Sequence, residues 1–77
     1  MRLFKFKKAP EDLSRSEWEN LIRERILGRN ALRDRDILTE NILNGRTYSW
    51  IAEKWGMSER QIARIVPQRL KQMFKSV

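Results

Sequence analysis

Trp18, Leu21, Ile22 and Ile26 recur at i, i+3, i+4 and i+8, a spacing that lays one apolar stripe along a helix. Ser14 and Ser16 precede the stripe. Each has an acid three residues on, Glu17 and Glu19, which is the capping-box spacing. Gly28 is placed to end this first helix. A second helix is expected after Asn30, a residue type that caps helices. Ala31, Leu38 and Ile42 fall on one face of it, flanked by Ile37 and Leu43, and Asn44-Gly45 is its stop signal. A short third helix opens at Thr47 and carries Tyr48, Ile51, Ala52 and Trp55 on its apolar face before Gly56 breaks it. A fourth opens at Ser58, with Gln61 as its capping-box partner, and buries Ile62, Ile65, Val66, Leu70 and Met73. Pro67 cannot donate to the carbonyl of Ala63 and disfavours helix at Val66. The apolar pattern continues past it, which favours one kinked helix over a break and a separate short helix. Residues 1–13 contain Pro10 and no helical period, so they predict an extended arm, with Leu3, Phe4 and Phe6 packed in part on the domain. The expectation is an all-α fold: an arm over 1–13 and a four-helix domain over 14–77.

Charge sharpens this picture by its location. The 77 residues carry 17 Lys and Arg against 10 Asp and Glu, a net charge of +7. Residues 14–44 hold six arginines and six acids, an ordinary salt-bridged helical surface. The excess lies at the ends, +2 in residues 1–13 and +4 in residues 59–77, where Arg60, Arg64, Arg69, Lys71 and Lys75 face only Glu59. A basic C-terminal helix is an electrostatic footprint for nucleic acid. A solvated surface helix is the plainer alternative.

Composition removes other classes. There is no cysteine and no histidine. The usual thiol nucleophile, imidazole base and soft or nitrogen metal ligands are therefore missing. Neither an enzyme nor a metal, cofactor or small-molecule ligand is expected. No apolar run approaches the roughly 18 residues of a membrane span, and Met1 to Lys8 does not resemble a secretory signal. A small, basic, cytoplasmic binding domain is expected, away from membranes.

The segment from Thr47 to Ile62 is the most specific in the chain. A capped short helix ends in Gly56, the apolar Met57 plugs the turn, and a second capped helix leaves it. Ala52 is small where the two helices approach. Ile51, Trp55, Met57, Ile62 and Val66 would close a core around the turn. This layout predicts a helix-turn-helix over 47–75. Its second helix can enter a DNA major groove.

Residues 29–75, about three fifths of the chain, resemble the C-terminal promoter-reading domain of bacterial sigma factors. Arg33-Asp34-Arg35-Asp36-Ile37-Leu38 is similar to its charged second helix. Asn44-Gly45-Arg46-Thr47-Tyr48 and Ile51-Ala52-Glu53 are similar to its turn and third helix, and Gly56-Met57-Ser58-Glu59-Arg60-Gln61-Ile62 to the entry of its recognition helix. The likeness is nearest to short stand-alone proteins of this type from Gram-positive bacteria, phages and mobile elements, and LuxR-type domains share the architecture. Trp50 stands where that family usually has a polar or acidic residue, and Pro67 sits inside the recognition helix. Nothing in the chain corresponds to the sigma domains that clamp RNA polymerase core and melt the promoter. The resemblance therefore implies a detached promoter-reading piece, a repressor or activator, or a phage DNA-packaging or recombination component.

Named residues follow from this. Arg pairs bidentately with guanine and Gln with adenine, so Arg60, Gln61, Arg64 and Gln68 are the base-reading candidates. Gln61 has a competing role in its capping box. Arg46, Thr47, Ser58 and Lys71 are the phosphate candidates, the two hydroxyls doubling as caps. Arg2, Lys5, Lys7 and Lys8 would let the arm follow a minor groove. Trp50 is expected to pack under the arm or the first helix, with a sugar-phosphate or protein contact as alternatives. Trp18 and Trp55 look like core. The expected partner is double-stranded DNA, with the fourth helix, 59–73, in the major groove and transcription regulation as the role. A module binding RNA polymerase or another protein is the competing function. One such domain reads few base pairs, so a homodimer or a partner protein is expected. Trp18, Ile26, Met73 and Phe74 are the candidate interface.

Overall fold

Ser14 sets the register of the first helix. Its hydroxyl accepts from the Glu17 N–H at 3.2 Å, and the Glu17 carboxylate accepts from the Ser14 N–H at 2.8 Å. Ser16 lies two residues too late to serve, inside the helix. The computed structural model describes residues 10–74. They form four helices and no strand: α1 (Arg15–Arg25), α2 (Ala31–Leu38), α3 (Tyr48–Trp55) and α4 (Glu59–Phe74). A single 3-10 turn, Pro10–Asp12, precedes α1, so the extended course expected up to Leu13 does not hold there. Arg2, Lys5, Lys7 and Lys8 lie outside the described residues.

The end of α1 differs from the sequence expectation. The helix stops at Arg25, before Gly28, because Ile26 adopts extended backbone and is fully buried. Gly28 and Asn30 then make the turn with φ of +89° and +65°. Asn30 precedes α2 through this left-handed backbone, and its side chain makes no capping bond. Asn and Gly are the residue types that tolerate such a conformation.

α2 does not continue as an α-helix to Asn44. Thr39–Leu43 widens to π hydrogen bonding. The Asn44 N–H reaches back to the Thr39 carbonyl at 3.1 Å, and the Arg46 N–H to the Glu40 carbonyl at 2.9 Å. The wider turn leaves Ile42 and Leu43 half-buried against the core. Ile37, expected as a flank, is fully buried with Leu38.

The remaining caps match their sequence signals. Thr47 accepts from the Trp50 N–H at 3.1 Å. Gly56 has φ +64°, the left-handed helix stop, and the following Met57 N–H returns to the Ala52 carbonyl at 2.9 Å. The Ser58 hydroxyl accepts from the Gln61 N–H at 3.2 Å, while the Gln61 side-chain carbonyl accepts from the Ser58 N–H at 2.9 Å. α4 is one helix through Pro67. Pro67 is exposed, and on that side of the helix water can take the place of the missing donor.

Ten buried apolar residues make the core: Trp18, Ile22 and Ile26 from α1 and its end, Ile37 and Leu38 from α2, Ile51 and Ala52 from α3, and Ile62, Val66 and Met73 from α4. Full burial of a side chain of this size stabilises by roughly 1.5–3 kcal/mol. Two expectations fail here. Trp18, Ile26 and Met73 face inward, and the half-buried Phe74 ring meets Trp18 edge-on at 5.8 Å. Those residues form no open interface, because the stripe of α1 closes on the end of α4 within the same chain. Trp55 is not core. It has the right helical phase, but as the last residue of α3 it is 38% exposed, and its Nε1–H donates to Asp36 at 2.8 Å.

Candidate nucleic-acid interface

α4 turns Ile62, Val66 and Met73 inward, so helical phase carries Arg60, Arg64 and Lys71 to the opposite side. All three are exposed, and none has an acidic partner among the described residues. Pro67 lies in the same row. Gln61 and Gln68 are exposed at its edge. Gln61 differs from the other candidates, since its carbonyl holds the Ser58 N–H and lies 3.3 Å from the Ser58 hydroxyl. Reading a base through both amide atoms would break the cap of α4.

The start of α3 brings a second group together. The Arg46 guanidinium lies 4.3 Å above the Trp50 ring, and Lys54 Nζ lies 5.8 Å from the same ring. Both distances suit cation–π attraction. Trp50 is 38% exposed, so it is a surface indole bordered by two cations and not a ring packed beneath α1. The Trp50–Lys54 pair was available in the spacing, since residues 50 and 54 share a face of α3, whereas Arg46 lies in the loop before the helix. Thr47 is exposed beside Arg46, with its hydroxyl engaged as the cap. Ser58 is likewise exposed and engaged.

Two further cations, Lys54 on α3 and Arg69 in the basic segment 59–77, have structural roles. Lys54 bridges Asp36 and Glu40, each at 2.9 Å, tying α3 to α2 and its π turn. The Asn44 amide and then Lys54 hold the Glu40 carboxyl below its usual 4.5. The bonds to Glu40 and then Asp36 raise Lys54 above its usual 10.5. Arg69 is the larger revision. Its side chain is 13% exposed and lies 2.7 Å from Asp34, which is itself buried. It also donates to the carbonyls of Leu27 and Arg29 and to Gln72. Arg69 therefore fastens α4 to α2 and to the loop before it. Its register, seven residues after Ile62 and three after Val66, places it on the inward side of α4, opposite Arg64.

Among the described residues, no group of three acidic, Cys or His side chains could hold a metal, and no helix is long and apolar enough to cross a membrane. No known protein family, characterised protein or solved structure matches the chain.

Proposed function

We propose that this chain is a sigma-like helix-turn-helix protein that binds duplex DNA and regulates transcription. The observation that carries the reading is the row Arg60, Arg64 and Lys71, without acidic partners, on the exposed side of a long helix. That helix follows a short capped helix through the tight Gly56-Met57 turn. α4 enters the major groove. Arg60 and Arg64 pair with guanine edges, and Gln68 with adenine. Lys71 and Arg46 dock on phosphates, aided by the outward N–H groups at the starts of α3 and α4. A single domain of this kind reads about three to five base pairs, so a second copy or a partner protein raises selectivity.

The experiment is selection of bound duplexes from a random pool, followed by affinity measured against salt. An enriched motif, lost in Arg64→Ala, is the expected result. A palindromic motif would point to a two-fold dimer. A steep salt slope without a motif would reduce the function to phosphate binding, as in a packaging or recombination role. No binding at low salt would overturn the reading. The exposed indoles of Trp50 and Trp55 favour one second reading, a module that docks on RNA polymerase or another protein. In that case Arg64→Ala leaves binding untouched and Trp50→Ala removes it.

A further inference from the structure

The C-terminal half of α4 and the loop between α1 and α2 border an open recess of about 360 Å³. Its one carboxylate, two of its backbone carbonyls and the Gln72 amide oxygen are already engaged. One Asp34 oxygen receives Arg33 Nε at 2.9 Å and the other receives Arg69 Nε at 2.7 Å. The Leu27 and Arg29 carbonyls each receive a terminal nitrogen of Arg69 at 3.3 Å, and Gln72 Oε1 receives one at 2.7 Å. The donors are in the opposite condition. Arg29, Asn30 and Arg33 line the recess, and the Arg29 guanidinium, the terminal nitrogens of Arg33 and the Asn30 amide have no acceptor among the described residues. Asp34 is shared by Arg33 and Arg69, so with Arg29 the recess holds three arginines against one carboxylate and a net of two positive charges. Two guanidinium groups with open donors and an excess of positive charge match a ligand that brings oxygen acceptors and negative charge.

The geometry points to a phosphate-binding site in which Arg29, Arg33 and Asn30 close on the phosphate oxygens. Guanidinium forks suit phosphate geometry better than point-charge ammonium groups do. Gln68 stands on the rim, and it also borders the exposed row of α4. A backbone phosphate of a duplex lying on α4 is therefore one source, which rests on the DNA reading above. A free phosphate compound is the other source, and the chemistry is shared.

Titration of the full chain with inorganic phosphate, followed by NMR against sodium chloride at equal ionic strength, tests the site. Saturable shifts at Arg29, Arg33 and Gln68 are expected. Arg29→Ala should weaken phosphate binding about fivefold. Its melting temperature should not change, because the Arg29 side chain makes no bond among the described residues. Arg33→Lys keeps the charge next to Asp34 and should retain part of the binding. Shifts equal to those from chloride, or unaltered in Arg29→Ala, would overturn the site. The source is then read with duplex DNA. A drop of about one in the slope of log affinity against log salt for Arg29→Ala assigns the phosphate to the DNA backbone. An unchanged slope with lost phosphate binding assigns it to a free compound. If no duplex binds at all, the DNA reading fails while the phosphate titration still decides the recess.

Discussion

Arg64 and Arg69 stand five residues apart on one helix and have opposite surroundings. Arg64 belongs to an exposed row without acidic partners. Arg69 is nearly enclosed, with bonds to α2, to the loop before it and to its own helix. The C-terminal half of α4 is held further by Arg25, which donates to the Met73 carbonyl at 2.9 Å, and by the Trp18–Phe74 ring contact. The exposed row carries no such ties. The comparison teaches that a basic helix in a sequence is a sum of two kinds of arginine. One kind builds the fold and the other remains available to a partner.

The sharpest way to break this comparison is at Asp34. Asp34→Ala leaves Arg69 nearly buried without its carboxylate and should cost about 3 kcal/mol in urea unfolding. Unchanged stability would mean that Arg69 is no more structural than Arg64. The reverse substitution, Arg64→Ala, should weaken duplex binding about tenfold. It should alter stability by less than about 0.5 kcal/mol. A marked drop in melting temperature would erase the distinction from the other side.

Pro67 sharpens the boundary between the two halves. Pro67→Ala restores a donor to the helix and should stabilise by about 1 kcal/mol, less than the full penalty for an interior proline, because Pro67 also restrains the unfolded chain. Duplex affinity measured on the same variant then shows whether the proline shapes the row. A fall in affinity despite the higher melting temperature would show that it does.

The smallest effect is expected from the Lys54 bridge, which lies outside α4. Glu40 is held below 4.5 in the folded chain, so its contribution is present above that pH and fades as pH falls through the folded value. Lys54 is held above 10.5, so its contribution is present below that pH and fades as pH rises through the folded value. Between those limits the bridge should be indifferent to pH. Glu40→Gln should remove about one to two degrees of the acid-side fall in melting temperature, as suits a solvent-screened pair. An identical acid profile in Glu40→Gln would remove Glu40 from the account.

Much of the fold was legible because its signals are short-range. Ser14 with Glu17, Thr47 before α3 and Ser58 with Gln61 act across three residues, and their caps form without reference to the rest of the chain. The exposure of Arg60, Arg64 and Lys71 was equally legible, as the phase opposite Ile62 and Val66. The failures share one cause. Gly28 was the better helix stop by local propensity, but burying Ile26 ended α1 first. Trp55 had the phase of a core residue and found Asp36 on another helix. Trp50 was placed on the correct turn, yet its covering by Arg46 depends on how the loop before α3 folds back.

Four helices, the caps at Ser14, Thr47 and Ser58, and the inward side of α1 and α4 are set locally. These follow from backbone bonding and apolar period within a few neighbouring residues. Which partner each charge finds is fixed by the packing of the helices. Arg69 is set apart by Asp34, 35 residues away, and Arg29 and Arg33 by the recess that the end of α4 closes over. Electrostatic partners are chosen by distance in space, and a linear pattern does not contain that distance.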